Sequence, residues 1–308
     1  MGKNGVVKTE REKQTLGVFL ASFGALLWGV SGPISQALFA QAHVSPEWLT
    51  GLKMTVSGLL ILTGLIMHRG RKVFDVWRTK QDAIGLVVFA IIGMAAVQDI
   101  YFLAVRASSA PTATIMQTLG TVMIVLWGIF AHHEWPRRVD VLAVILALLG
   151  TWLLVTKGDL LHLAITPTAL MWGVLLGLAG ALNTLLPANL LQRHDALTVV
   201  GWSMLVGGIA VGATRPVWVN VPHLTGLDIA GIAFIVLFGT GLAYVCFISS
   251  LALITPTLAG LLDAFEPLSA TILAVLFLNV SINGWELLGG CLILSTIFIL
   301  SWAKPVAK

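Results

Sequence analysis

Charged side chains are what this chain has least of: Asp, Glu, Lys and Arg make up 10% of its 308 residues, where a soluble domain carries about 25%. With 57% hydrophobic residues and a mean hydropathy of +0.94, that scarcity excludes a solvated globular domain and puts the chain in a bilayer. Cysteine is almost absent. Cys246 and Cys291 fall inside apolar runs, which excludes a disulfide framework or a cysteine metal site; both are expected to be buried thiols. Long polar segments are missing, so a scaffold or receptor has no loops with which to hold partners. No G-x-S-x-G elbow, no H-E-x-x-H and no nucleotide-binding glycine loop occurs. A membrane-embedded lipid-modifying enzyme and a self-contained ATP-driven pump therefore lack their chemistry. His132-His133-Glu134 offers no metal site, because adjacent histidines do not share a helix face. No metal and no cofactor is expected. The net charge of +4 comes from basic residues in short connections, which speaks for membrane topology and against nucleic acid.

What is present is a series of apolar runs, each near the 20 residues a span needs. Ten are counted: 16–39, 47–67, 82–105, 111–131, 137–156, 168–191, 196–214, 227–250, 256–278 and 283–303. The first is too long for a secretory signal and reads as a retained helix. Pro46, Pro111, Pro136, Pro167 and Pro256 stand at helix starts, where a missing N–H does no harm. Pro33, Pro187 and Pro267 fall inside spans and should bend them. With the N-terminus inside, fourteen of the 18 Lys and Arg residues lie on the cytoplasmic side, so both ends of the chain are placed in the cytoplasm of a multi-pass cell-membrane protein. Most of the tryptophans lie near span ends, as an interfacial belt requires.

The segment "YFLAVRASSAPTATIMQTL" (Tyr101 to Leu119) aligns weakly with "CFISSLALITPTLAGLLDA" (Cys246 to Ala264), matching Phe102 to Phe247 and Pro111-Thr112 to Pro256-Thr257. Five spans per half is an odd number, so a repeated half must enter the membrane upside down. The expected fold is all-α, ten transmembrane helices in two inverted five-helix repeats. Its parts are a cytoplasmic segment (1–15), a first repeat (16–156), an outer linker (157–167), a second repeat (168–303) and a tail (304–308). Such repeats put a substrate site near the midplane between the halves.

Intramembrane ionisable residues are costly and mark function by default. Asp263 and Glu266 are three residues apart, on one helix face continued by Gly260 and Ala270. A carboxylate pair in low dielectric suits the uptake of a proton or a cation. Lys53 should be neutralised there by Asp99, Asp263 or Glu266. Asp99 lies deep in the third span, followed by Tyr101, while Arg106 is an interface anchor. Polar stripes of helical period run along the first span (Gly24, Trp28, Ser31, Ser35), the fourth (Thr114, Gln117, Thr118, Thr121) and the sixth (Gly180, Asn183, Thr184, Pro187); together they suggest a wet central cavity. Trp28, Trp172 and Tyr244 lie deep enough to touch a substrate. Glu47 starts the second helix, where the helix dipole favours an acid.

These motifs resemble the drug/metabolite transporter superfamily with tandem EamA-type halves. "LLWGVSGPISQAL" (Leu26 to Leu38) is similar to its first-helix pattern, and "SPEWLTGLKM" to its second-helix start with a basic residue near Lys53. The most specific likeness is "LALITPTLAGLLDAFEPLSATILAVLFL" followed by "GWELLGGCLILSTIFIL", which carries Glu266-Pro267 and Leu288-Gly289. Gly150 fits a glycine of the first half, whereas Thr121-Val122 stands where Glu-Pro would recur. The resemblance implies a secondary transporter working by alternating access, monomeric or homodimeric, moving a small polar metabolite outward. An amino acid or related zwitterion fits the charges. Asp99 and Asp263 would hold an ammonium group or a coupling proton, Lys53 would meet a carboxylate, and Gln117 and Asn183 would supply hydrogen bonds. The alternative is an importer of a choline-like amine on acidic and aromatic groups.

Overall fold

The computed structural model describes residues 10–132, 138–159, 164–219, 221–254, 258–259 and 262–302. Pro136, Pro256, Gly260, and His133 and Glu134 of the histidine segment lie outside them. The described residues form ten helical spans and no strand. They are α1 (Glu10–Gln41), α2 (Pro46–Arg69), α3 (Lys80–Ala107), α4 (Ala110–Gln117 with Leu119–His132), α5 (Arg138–Thr156), α6 (Pro167–Arg193), α7 (Ala196–Thr214), α8 (Gly226–Ser250), α9 (Phe265–Leu278, with helical residues at 258–259 and 262) and α10 (Gly284–Trp302). Short connections make successive helices antiparallel. The bundle end where α1 begins is called proximal here, and the other end distal.

The starts are written in local chemistry. Ser45 accepts the Trp48 N–H with Pro46 in the first turn. Ser109 does the same for Thr112 ahead of Pro111, and Thr166 for Ala169 ahead of Pro167. Thr79 and Thr225 cap the third and eighth helices over Asp82 and Asp228. Each cap satisfies an N–H that the helix leaves open.

The two halves answer one another element by element. α2 packs on α7 and α5 on α10, each first-half helix on its second-half equivalent. α1 packs on α8 and α9, as α6 packs on α3 and α4. α3 carries a π turn over Phe89–Ala95, and α8 carries one over Leu237–Leu242. Gly93 of the first faces Asn183 of α6, and Gly239 of the second faces Ser31 of α1. α4 breaks at Thr118 and α9 at Asp263-Ala264; in the register that sets Pro111 on Pro256, Thr118 falls on Asp263. Pseudo-twofold equivalence thus reaches down to single turns.

The proline expectations divide. α6 breaks at Leu186-Pro187 and α9 breaks just ahead of Pro267, but α1 runs unbroken through Pro33. At Pro267 the missing N–H leaves no orphan, because the Glu266 N–H donates to the Asp263 carbonyl at 2.9 Å. Of the cysteines, Cys246 is buried but Cys291 is exposed. Its helix shows Leu287, Leu288 and Phe298 exposed as well, and the Cys291 thiol lines the groove between α4, α5, α9 and α10 rather than the packed core.

At the proximal end the halves are tied by charge. Arg69, closing α2, pairs with Asp195, the cap of α7, at 2.8 Å. Asp82 is met by Arg193 at 2.8 Å and by His194 at 3.1 Å. The Trp202 indole donates to the Val73 carbonyl at 2.8 Å. Asp82→Asn is expected to lower the thermal midpoint in low salt and to flatten its dependence on ionic strength, because the lost contact runs to a partly exposed Arg193 and is one that salt weakens. Unfolding curves of the purified variant at low and high salt check this.

Candidate functional site

The π turn of α3 sets up the site. Widening the helix at Phe89–Ala95 re-aims the following turn, and such turns mark functional places. Met94 within it and Gln98 just beyond it share one face. The Lys53 ammonium donates to Gln98 Oε1 at 2.8 Å, Gln98 Nε2 donates to the Tyr244 hydroxyl at 3.0 Å, and that hydroxyl points to Met94 Sδ at 3.6 Å. This chain of polar groups joins α2 and α3 of the first half to α8 of the second. Lys53 is 4% exposed and lies 3.7 Å from the centroid of the Phe102 ring, a placement that favours a cation.

The sequence expectation of an ion pair for Lys53 is corrected here. Among the described residues no carboxylate lies within 4.0 Å of its ammonium; the direct partner is an amide. Asp99 and Glu266 act on Lys53 from farther away. Lys53 therefore stands between two acidic groups without being committed to either. Nor does it snorkel to an interface.

On the other side of it are Asp263 and Glu266. Glu266 is 7% exposed, and the two carboxylates act on each other and on Tyr244. Asp263 Oδ1 is buried with no hydrogen-bond partner. Trp28 of α1 meets Tyr244 edge-on with centroids 4.9 Å apart and tilts against Phe247 at 5.1 Å, so an aromatic wall stands beside the acids. The close approach of α1 needs Gly29, where a Cβ would fall 2.5 Å from the Glu266 carbonyl. Tyr101 is buried against Gly32, its hydroxyl lacking a partner.

Other expected contributors are placed elsewhere. Asn183 sits at the π turn of α3, with its Oδ1 buried and unpartnered. Gln117 closes the first segment of α4, its backbone against Gly180 of α6. Among the described residues no hydrogen bond or ion pair joins either to the Lys53 group. Trp172 packs on the apolar cluster around Leu176 and Ala179.

The polar stripes are corrected too: Ser31 and Ser35 donate to Trp28 and Gly32 carbonyls, Thr114 to Ala110 and Pro111, Thr118 to Ile115, and Thr184 to Gly180. A hydroxyl that back-bonds has its O–H satisfied within its own helix, so these residues need no neighbouring helix to accept from them. A cavity of about 130 Å³ lies between α4, α5, α9 and α10, lined by Pro111, Ile115, Pro267, Thr271 and Gly290 among others. None of the carboxylates acting on Lys53 lines it.

Two residues that sequence reasoning passed over are central. Gln98 was visible only as a neutral neighbour of Asp99. Glu47 read as a helix-start acid, yet its Oε2 is buried without a partner and its charge acts on Asp99. Among the described residues no group of three or more His, Cys, Asp or Glu side chains has metal-holding geometry.

Against known proteins, the profile of the EamA-like transporter family matches residues 15–156 and 167–302. A Salmonella typhimurium (strain LT2) protein described as the uncharacterized inner membrane transporter YicL is 34% identical over 289 residues, covering 94% of this chain and 95% of that one. A solved crystal structure superposes with a TM-score of 0.61 at 17% identity, covering 93% of this chain and 96% of that one. At that identity the likeness concerns the fold.

Proposed function

The chain belongs to the EamA-like transporter family, and from that premise we propose that it exports a small zwitterion, an amino acid or a close relative, across the inner membrane by alternating access. The observation that carries this reading is the uncommitted ammonium of Lys53. It is buried, hydrogen-bonded to an amide, and acted on by Asp99 and Glu266 rather than paired with either. A substrate carboxylate replacing the Gln98 contact would gain a charge-assisted hydrogen bond. The substrate ammonium would meet Asp263 and Glu266, with Trp28 and Tyr244 supplying ring faces.

The placing supports alternating access as well. Lys53 and Gln98 belong to one half, and Tyr244, Asp263 and Glu266 to the other, so relative movement of the halves would open the site. The inner-membrane setting follows from the similar Salmonella protein, and the proximal end is assigned to the cytoplasm by the distribution of basic residues. Nothing in this reading requires catalysis.

In proteoliposomes, wild-type protein is expected to move at least one member of an amino acid panel, and Asp263→Asn to slow that movement at least tenfold. This magnitude corresponds to losing one hydrogen bond to a charge, about 1.5–3 kcal/mol. Movement of the whole panel at the same rate with and without Asp263 would remove the assignment. Choline-like compounds in the same assay probe the amine reading: if only they compete, the carboxylate role of Lys53 is wrong.

A further inference from the structure

The interior acids outnumber the cations. Glu47, Asp99, Asp263 and Glu266 are four carboxylates, and Lys53 is the ammonium that acts on this group. One zwitterion adds no net charge, so a carrier of zwitterions leaves that excess uncompensated. Where the excess is worst is visible in α2 and α3. Glu47, Thr50 and Lys53 follow one another at i, i+3 and i+6, along one face of α2. Asp99 of α3 looks onto that face: the charges acting on it are those of Glu47 and Lys53. α1, α4, α6, α7 and α8, which pack around these two helices, bring no further charge to Asp99 among the described residues.

Three oxygens at this place are buried and lack a hydrogen-bond partner: Glu47 Oε2, Thr50 Oγ1 and Asp99 Oδ1. Thr50 is 0% exposed; its hydroxyl lies close enough to act on the Asp99 carboxylate, yet neither Thr50 Oγ1 nor Asp99 Oδ1 closes a hydrogen bond of full geometry. Orphaned buried acceptors are rare and cost free energy. The start of α2 does not account for them, because the Trp48 N–H is already taken by Ser45. Lys53 does not either, since its ammonium donates to Gln98 and to none of these three oxygens.

We propose that Glu47, Thr50 and Asp99 form a site for one monovalent cation, a proton or Na⁺, distinct from the Lys53–Tyr244 group and filled as the coupling ion. Its coupling role rests on the transporter reading above; its existence as a binding site does not. The site is reached from the distal end, where α2 starts, and it shares Lys53 electrostatically with the cargo region. Filling it would release the pull of Asp99 on the Lys53 ammonium and free that ammonium for a substrate carboxylate.

The test uses the purified full-length protein in detergent and reads the thermal midpoint, which rises when an ion binds the folded state alone. One series exchanges N-methylglucamine chloride for NaCl at constant ionic strength. The other lowers the pH from 8 to 5.5 without Na⁺. Wild type is expected to gain several degrees in one series, and the part of that gain lost in the Glu47 and Asp99 variants identifies the ion. Glu47→Gln and Asp99→Asn are expected to lose that gain, Glu47→Asp to keep part of it, and Asp263→Asn to keep the Na⁺ gain in full. A wild type that responds in neither series beyond its Glu47→Gln variant overturns the site. So does a Glu47→Gln or Asp99→Asn variant that responds as wild type does. Because the readout is ion-dependent stability, a normal ion response together with Asp263-independent flux would leave the ion site standing and discard only the cargo assignment.

Discussion

Lys53→Met is expected to raise the half-saturating concentration of a transported zwitterion by about 10- to 100-fold while leaving an amine without a carboxylate nearly unaffected. In the proposed reading the buried ammonium is the donor to the substrate carboxylate, and a hydrogen bond to a charge is worth about 1.5–3 kcal/mol, with 1.4 kcal/mol for each tenfold. Methionine keeps the length and the apolar stem that packs on Phe102, so the lost quantity is the charge. Gln98 Oε1 then loses its donor, and Asp99 and Glu266 lose their shared counter-charge. Concentration-dependent uptake into proteoliposomes, run for an amino acid and for its decarboxylated amine, separates these effects. Equal losses for both compounds would mean that Lys53 serves the structure rather than the carboxylate.

The second large effect concerns the fold. Gly150→Val is expected to destabilise the protein by about 3 kcal/mol or more, the upper range for forced overpacking. A Cβ at Gly150 of α5 would sit 2.6 Å from the Gly289 carbonyl of α10, and one at Gly289 would sit 2.6 Å from the Gly150 carbonyl. The contact is reciprocal and backbone to backbone, so no side chain can turn aside to relieve it. Small residues let membrane helices approach in this way. Gly64→Val is the control, since a Cβ there meets nothing within 4 Å. Thermal unfolding of both variants in one detergent decides it. Similar midpoints would show that α5 and α10 are not held at this crossing.

Much of the architecture could be read from the chain because membrane helices announce themselves by length, and their starts by a cap and a proline. Ser45-Pro46 and Thr166-Pro167 are examples. Asp263 and Glu266 were legible as a pair because helix period alone puts them on one face. The two π turns were not, since they depend on how α3 meets Asn183 and α8 meets Ser31 rather than on composition. Gln98 hid for a related reason: an uncharged amide acquires its role only when Tyr244 arrives from the other half. The hydroxyl stripes misled because Ser and Thr in apolar helices answer their own carbonyls first. Lys53 misled because opposite charges elsewhere in the chain suggested an ion pair, whereas the folded bundle offered an amide and a ring.

The proximal charge contacts have one more consequence. Where α2 leads into α3, Arg69, Asp82, Arg193, His194 and Asp195 knit the halves together. At the equivalent distal place, Asp228 bonds its own cap Thr225, and the crossing contact is the Trp48 indole to the Val217 carbonyl at 2.9 Å. Elsewhere at the distal end the halves meet through an ion pair, Lys157 just after α5 with Glu286 of α10 at 2.9 Å, so charge ties both ends but is concentrated at the proximal one. Dissolved salt therefore loosens both ends of the bundle, the proximal one at more contacts.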